Sequence, residues 1–275
     1  MHTHLYLLAL AALQGVTELF PISSLGHSIL VPALLHWPID RNAAWFLPFI
    51  VVLHLGTATA LLLYFWRDWA RLIGGWLRAR GSVADPDARL LWLLVVGTIP
   101  AGLLGLLLAH RIKALFGGFG FAAIALMVNG LLLVGGDFLK HRRGLRSLPT
   151  LGWRRALVIG TAQALALIPG FSRSGATLVA GLGLGLDYAD AARFSFLLAT
   201  PIIAAAGVLE VPKLLHAGVP HELLGTIAVA GVLAGVFAWL STWFLMRWFG
   251  EHELRALRPF GIYCLAFGAV ALLIG

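Results

Sequence analysis

Long apolar runs, separated by short and mostly basic stretches, constrain this chain more than any other feature of its sequence. Of its 275 residues, 60% are hydrophobic and only 12% are charged, whereas soluble proteins carry about 25% charged residues. Such a chain cannot cover itself with polar groups, so its outer solvent is predicted to be lipid. Because no polar linker is long enough to separate two folded units, we expect a single membrane domain over residues 1–275.

Six segments are long enough to cross about 30 Å of hydrocarbon as helices. They cover residues 43–65, 90–110, 117–138, 191–211, 222–246 and 258–275. Four shorter apolar segments form two adjacent pairs, 5–20 with 22–36 and 154–169 with 173–186. A proline and hydroxyl residues interrupt each pair, which favours a re-entrant helical hairpin whose break lies within protein or a wet cavity. The alternative for each pair is one or two ordinary spans with a proline kink.

The two halves of the chain resemble each other. An offset of 149 positions aligns, without a gap, Gln14 with Gln163, Ser23 with Ser172, Gly26 with Gly175 and Ser28 with Thr177. Each half then contains one hairpin and three spans, as repeat 1 over about 1–140 and repeat 2 over about 150–275. Three crossings are an odd number, so the second repeat must be inverted relative to the first. The prediction is therefore an all-α integral membrane protein with six transmembrane helices and two re-entrant helical hairpins in inverted-topology repeats.

The positions of the basic residues argue against a nucleic-acid partner, although the net charge is +8. In the predicted topology, fourteen Lys and Arg residues of 67–89, 140–155 and 247–258 lie on one side, and four lie opposite: Arg41, Arg111, Lys113 and Lys213. The rich side is predicted to be cytoplasmic, where it would contact anionic membrane lipid. Both termini and the start of the first hairpin would then face outward. Because this orientation rests on charge counting, the inverted orientation stays open.

The first hairpin carries an acidic and hydroxyl-rich motif over residues 14–27. Gln14 and Glu18 are four residues apart and share one helical face. An ionisable group in an apolar segment is costly, so Glu18 is a candidate functional residue. Ser24 and His27 form a potential nucleophile and base. Two structural alternatives stay open: Glu18 pairs with an arginine to hold two helices, and the serines cap the following helix.

The second hairpin carries an arginine between two serines, Ser172-Arg173-Ser174, in residues 169–177. Arginine offers a rigid fork of donors that matches phosphate. The serine hydroxyls and a nearby helix N-terminus would add further donors. These features predict an oxyanion receptor. The alternative is that Arg173 pairs with Glu18 as a clamp between helices, without a ligand.

Both motifs resemble those of the bacitracin-resistance family of undecaprenyl-diphosphate phosphatases, as does the segment 99–105. The resemblance implies a hydrolase that removes the terminal phosphate of undecaprenyl diphosphate, with a divalent cation, Mg²⁺ or Ca²⁺. It further implies a place in the bacterial cytoplasmic membrane, with the site facing the outer side. The activity would recycle the lipid carrier for peptidoglycan synthesis and confer bacitracin resistance. Whether the protein is a homodimer is left open.

The resemblance also implies a role for each matched residue. Arg173 would clamp the phosphates, helped by the hydroxyl residues Ser23, Ser172, Ser174 and Thr177. Ser24 would attack the terminal phosphorus, or position the water that does, with His27 as the base. Glu18, helped by Gln14, would hold the cation or orient His27. The family allows glutamate or glutamine at the position of Gln14, so in this chain Glu18 supplies the motif's one carboxylate.

Two other classes of function compete with the phosphatase. Inverted repeats with broken helices are also a design of transporters, so a transporter or flippase of a polyprenyl phosphate is the main alternative. Such a protein needs Arg173 as an anion site but has no use for Ser24 and His27 in chemistry. The third class is a membrane scaffold, which needs neither cluster.

Overall fold

A computed structural model describes residues 2–40, 43, 45–115, 118–140, 147–216, 221–252 and 254–275, and within this part of the chain the structure is helical without strands. Two short 3₁₀ helices cover Leu148–Thr150 and Gln163–Leu167. The α-helices are α1 (His2–Leu19), α2 (Ser24–Leu34), α3 (Phe46–Tyr64), α4 (Trp66–Arg78), α5 (Pro86–Leu115), α6 (Phe119–Lys140), α7 (Trp153–Ala162), α8 (Arg173–Gly183), α9 (Tyr188–His216), α10 (His221–Glu251) and α11 (Arg258–Ile274).

The prediction of an all-helical membrane protein is confirmed, but the number of spans is confirmed only in part. Among the described residues, four helices are long and apolar enough to cross a membrane: Pro86–Leu108, Phe119–Leu139, Tyr188–Val208 and Glu222–Glu251. A fifth span arises if α3 and α4, which are bent by 73° at Phe65, are counted as one. Helix α11 has 17 residues and therefore rises only about 25 Å. Four to five spans follow from helix length and composition.

The basic stretch 67–89, predicted to be a loop between two spans, is not a loop throughout, because α4 occupies its first half. Ion pairs hold this helix against its neighbours: Asp68 contacts Arg193 of α9, and Arg71 lies 3.2 Å from Asp87 of α5. The apolar side chain of Leu72 is buried on the inner face, while Trp66 and Leu77 are exposed. A basic, amphipathic helix of this kind suits the membrane interface. Other basic residues used in the topology argument, including Arg41, Arg142, Arg143 and Arg146, lie outside the described residues.

Both short apolar pairs of the sequence are broken helices, at the predicted places. Helix α1 ends at Leu19, and α2 begins at Ser24 after a break that contains Pro21. In the second pair, α7 ends at Ala162 and continues as the 3₁₀ helix to Leu167, and α8 begins at Arg173. Around them, α1 packs on α10 and α7 on α5, while α3 packs on both α10 and α9, and α6 on α11. The breaks therefore lie inside the helical bundle.

Close helix crossings at glycine determine how tightly these helices pack. Where α3 crosses α10, a Cβ atom built on Gly56 would lie 2.0 Å from the carbonyl oxygen of Gly231. No side chain fits in that space, so the backbones of α3 and α10 are in direct contact. Small residues at crossings are the usual means by which membrane helices approach each other, because lipid offers little hydrophobic driving force between them.

We expect Gly56→Ala to destabilise the protein, because the added methyl must push two helices apart. Overpacking of this kind costs about 1–3 kcal/mol, which exceeds the gain of about 1 kcal/mol from replacing glycine by alanine in a helix. Thermal unfolding in detergent would measure the loss. Gly135→Ala in α6 is the matched control, because a Cβ atom there has nothing within 4 Å. Equal unfolding temperatures for both variants would contradict the close crossing.

Candidate active site

The two helix breaks lie against each other in the interior of the bundle. A Cβ atom on Gly26, near the start of α2, would lie 3.2 Å from the Cα of Gly170 in the other break. Likewise, a Cβ atom on Gly175 would lie 3.3 Å from the carbonyl oxygen of Pro21. The absence of side chains at Gly26 and Gly175, which the sequence offset aligns, thus lets each helix start approach the opposite break.

Each helix after a break begins at a capping serine. The side chain of Ser23 accepts a hydrogen bond from the amide of Gly26 at 3.2 Å, and that of Ser172 accepts one from Gly175 at 3.1 Å. The predicted capping role of Ser23 is therefore confirmed. Ser23 adopts a φ of 69°, a backbone conformation that is costly for a residue other than glycine. Two helix N-termini, which attract anions, meet in this way at the breaks.

Asn129 on α6 connects the two breaks directly. Its side-chain amide donates to the carbonyl oxygen of Pro21, and its side-chain oxygen accepts from the amide of Ser172, each at 3.0 Å. Asn129 is fully buried. One side chain thus satisfies an orphan carbonyl in the first break and an orphan amide in the second. Sequence analysis missed this residue, although a lone Asn inside a predicted span is a signal in its own right.

A cavity of about 260 Å³ opens beside the breaks. The polar side chains on its wall come from both halves of the chain: Glu18, Ser23, Ser24, His54, Ser172 and Arg173. The remaining wall is apolar and includes Leu25, Phe171, Ile202 and Ile203. A charged end and an apolar side together suit an amphipathic ligand.

Glu18 is the centre of the polar wall. Its Oε2 accepts a hydrogen bond from Ser24 Oγ at 2.6 Å and from Gln14 Nε2 at 2.9 Å. On its other oxygen, the guanidinium of Arg173 lies 3.3 Å from Oε1. The contact between Arg173 and Glu18 is the clamp that sequence analysis held as an alternative to a phosphate receptor. This contact brings the carboxylate of the first motif and the guanidinium of the second motif into one site.

His27 lies behind the cavity rather than on its wall. Its Nδ1 is 2.7 Å from the carbonyl oxygen of Ser23, so Nδ1 carries a proton, and Nε2 is 2.8 Å from the hydroxyl of Tyr263. The ring also stacks against both Tyr263 and Phe267. Both nitrogens are therefore satisfied away from Ser24. The role of His27 as a base stays a prediction, and its contacts favour a role in holding the first break.

Ser174 and Thr177 are also buried behind the cavity. The hydroxyl of Ser174 lies 3.0 Å from that of Ser172 and 3.3 Å from the carbonyl oxygen of Phe20. Thr177 bonds the carbonyl oxygen of Arg173 at 2.8 Å and the hydroxyl of Ser195 at 2.6 Å. Of the predicted phosphate-binding residues, the structure thus places Ser23, Ser172 and Arg173 at the cavity wall. His54 on α3 is on the wall as well and belongs to neither motif.

The site has part of the ligand set that a divalent cation requires. Within the described part of the chain, no group of three or more His, Cys, Asp and Glu side chains could hold a metal ion. However, Oε1 of Gln14 is buried without a hydrogen-bond partner, next to the carboxylate of Glu18. Mg²⁺ in proteins is commonly held by one or two carboxylates together with substrate phosphates. The residues therefore fit a cation that binds together with a phosphate ligand.

These features define a class: a multi-pass helical membrane protein with a buried charged site where two broken helices meet. The chain matches the model of the family described as "Bacitracin resistance protein BacA" over residues 7–270. It therefore belongs to the bacitracin resistance protein BacA family.

Relatives named undecaprenyl-diphosphatase cover nearly the whole chain. Undecaprenyl-diphosphatase 2 of Chromobacterium violaceum is 58% identical over 266 residues, which are 97% of this chain and 96% of the relative. Undecaprenyl-diphosphatase of Acidiphilium cryptum is 52% identical over 277 residues, 99% of this chain and 98% of the relative. That of Granulibacter bethesdensis is 50% identical over 278 residues, 96% of this chain and 94% of the relative. The resemblance that the motifs indicated is confirmed.

We expect Asn129→Ala to loosen both breaks at once, because it leaves the Pro21 carbonyl and the Ser172 amide without partners. Each unsatisfied buried group costs about 1–3 kcal/mol. Hydrogen exchange measured by mass spectrometry should become faster in both 20–24 and 168–172. The control is Thr242→Ala, a buried residue whose hydroxyl bonds within its own helix, to Ala238. Faster exchange in only one break would contradict the bridging role of Asn129.

Proposed function

We propose that the protein is an undecaprenyl-diphosphate phosphatase, which hydrolyses undecaprenyl diphosphate to undecaprenyl phosphate and inorganic phosphate. The observation that carries this proposal is the contact of Glu18 with both Ser24 and Arg173 in one cavity between two broken helices. The names of the relatives support the choice of substrate. In a bacterium this reaction recycles the lipid carrier for peptidoglycan synthesis and confers resistance to bacitracin.

The shape of the cavity supports one proposed orientation of the substrate. The diphosphate would bind at the polar end, against Arg173 and the N-termini of α2 and α8. The prenyl chain would extend along the apolar wall formed by Leu25, Ile202 and Ile203 toward lipid. Arg173 would turn from Glu18 to the phosphates, because a diphosphate offers more negative charge than one carboxylate. Ser23 and Ser172 would add contacts from the wall, and Ser174 and Thr177 would support them from behind.

Ser24 is the proposed nucleophile. Its Oγ would attack the terminal phosphorus, the bond to the bridging oxygen would break, and undecaprenyl phosphate would leave. The proton of the hydroxyl would pass to Glu18, which already accepts its hydrogen bond at 2.6 Å. Water would then release inorganic phosphate from the serine. In the alternative, Ser24 and Glu18 position a water molecule that attacks directly. Either way, charge stabilisation and positioning provide most of the rate enhancement.

Glu18 and Gln14 would hold a divalent cation, Mg²⁺ or Ca²⁺, near the phosphates. Bound there, the cation would neutralise negative charge on the phosphate oxygens. An ionised carboxylate offers about four lone-pair sites, so Glu18 can serve Ser24 and a cation together once Arg173 has turned to the phosphates.

Phosphate release from undecaprenyl diphosphate by the purified protein in detergent tests the proposal. We expect Arg173→Lys to lower the rate by about 100-fold or more, because lysine retains the charge but loses the fork of donors. Glu18→Gln and Ser24→Ala should lose most of the phosphate-releasing activity, whereas His27→Gln should retain more of it than these two variants. Thermal unfolding of each variant in detergent shows whether that variant is folded. If the folded wild type releases no phosphate with any cation, a polyprenyl-phosphate transporter or flippase becomes the leading function.

Acid quenching during turnover separates the two mechanisms. A phosphorylated peptide that contains Ser24, detected by mass spectrometry, would identify the serine as nucleophile. A wild-type enzyme that turns over without such a peptide would favour direct attack by water.

We further propose six transmembrane helices and two re-entrant hairpins in inverted repeats, over about 1–140 and 150–275. The packing of α1 on α10 and of α7 on α5 supports this symmetry, since each hairpin packs on the second span of the other repeat. The protein would lie in the bacterial cytoplasmic membrane with its site open to the outer side, as a monomer or a homodimer.

Cysteine labelling tests this topology in a Cys264→Ala background, which removes the one native thiol. If the second hairpin does not cross, Ser147→Cys before it and Asp187→Cys after it should react from the same side, the cytoplasmic one. Pro38→Cys should react from the opposite side. Labelling of positions 147 and 187 from opposite sides would show that this pair of helices crosses the membrane.

A further inference from the structure

His54 lies in the middle of α3, within an apolar segment, and its ring faces the cavity. Its Nε2 is 3.3 Å from Oε2 of Glu18, the same oxygen that Gln14 and Ser24 contact. Helix α3 carries neither motif, and the reaction proposed above makes no use of this residue. An ionisable side chain within an apolar segment is costly, so we expect it to have a binding partner in the site.

The hydrogen bond of the other ring nitrogen, Nδ1, determines what must lie next to Nε2 of His54. Nδ1 lies 2.8 Å from the carbonyl oxygen of Ile50. A carbonyl oxygen can only accept, so Nδ1 carries a proton. A neutral ring would then direct the Nε2 lone pair at a carboxylate oxygen, which is repulsive. The two atoms can be neighbours only if a second proton or a metal ion lies between them.

The surroundings of His54 suit a metal ion between these two atoms. The 3.3 Å between Nε2 and Oε2 suits a metal ion as well as a proton, since the direct ion pair of Arg173 with Glu18 has the same length. Two ligands on one metal ion, each bonded at about 2.1 Å, are roughly 3 Å apart. A histidine that donates Nδ1–H to a backbone carbonyl and presents Nε2 to the metal is also a common arrangement at metal centres.

Gln14 supplies a second, independent observation. Its Oε1 is buried without a partner, although its Nε2 bonds Glu18 at 2.9 Å. The two amide atoms exchange places on a simple flip of the side chain. After the flip, the oxygen would take the place of Gln14 Nε2 beside Oε2 of Glu18, which Nε2 of His54 also faces, and the amide nitrogen would take the unpartnered position.

We infer that His54 is a ligand, through Nε2, of the divalent cation in this site, together with Glu18 and the amide oxygen of Gln14. This inference deepens the proposed function, on which it rests for the presence of a cation. The other ligands would be phosphate oxygens and water. Since Arg173 is already next to Glu18, the cation should bind well only when a diphosphate adds negative charge. A nitrogen ligand also shifts the preference from Mg²⁺ and Ca²⁺ toward Mn²⁺ and Co²⁺.

Pulsed electron paramagnetic resonance of Mn²⁺ tests this assignment without turnover. The purified protein would be loaded with Mn²⁺ and methylenediphosphonate, which is not hydrolysed. We expect modulation from an imidazole nitrogen in the wild type and its loss in His54→Gln, which offers oxygen instead. Mn²⁺ should bind about tenfold more weakly to this variant, with a smaller change for Mg²⁺. His27→Gln is the matched control and should keep the nitrogen signal.

A wild type without nitrogen modulation, or a signal that persists in His54→Gln, would overturn the assignment and leave His54 as a protonated partner of Glu18. Failure to bind Mn²⁺ even with the diphosphonate would overturn it as well. If His54→Gln does not fold, ¹⁵N-histidine labelling of the His27→Gln variant tests the assignment instead. The modulation frequency must change if a histidine binds Mn²⁺, and His54 is then the histidine on the described cavity wall. Failure of the proposed phosphatase is a separate outcome, recognised by a nitrogen signal in a protein that releases no phosphate.

Discussion

The structure depends on one buried carboxylate. Glu18 lies in an apolar bundle, where an unpaired charge would be costly, and it contacts Arg173 of α8, Ser24 of α2 and His54 of α3. Removing one partner from a buried ion pair costs about 3–5 kcal/mol, but the intact pair adds little net stability. The pair of Glu18 and Arg173 is therefore poorly explained as a device for stability. It is better explained as a site that keeps two opposite charges close until a phosphate ligand separates them.

The breaks in the helices make such a site possible at all. A continuous helix satisfies its own backbone, so it offers few donors or acceptors to a ligand within the membrane. Interrupting two helices at Pro21 and Gly170 frees backbone groups, and the surrounding structure satisfies some of them through Asn129 and the capping serines. The helix N-termini of α2 and α8 remain as positive ends beside the cavity. Fixing both breaks on Asn129 keeps the charged side chains at constant distances.

The sequence predicted the helical class and the two breaks, because both are marked locally, and it gave the contact of Glu18 with Arg173 as an alternative to a phosphate receptor. Apolar length marks helices, proline and hydroxyl residues mark breaks, and an acid inside an apolar run marks a site. The amphipathic helix α4 was not predicted, because its apolar residues alternate with charged ones and form no long apolar run. His54 and Asn129 belong to no motif, so only three-dimensional proximity assigns them to the site. The contacts of His27 could not be predicted either, since Tyr263 lies 236 residues away in sequence.

The alignment of the two halves shows why neither could form the site alone. At the offset of 149, Glu18 corresponds to Leu167, Ser24 to Arg173 and His54 to Ile203. The capping serines and the adjacent glycines are common to both halves, so the shared residues are those that build a break. The charged and nucleophilic residues differ, so each half contributes what the other lacks. His54 and Ile203 line the same cavity from α3 and α9. One wall is thereby polar enough for a diphosphate, and the other is apolar enough for its prenyl chain.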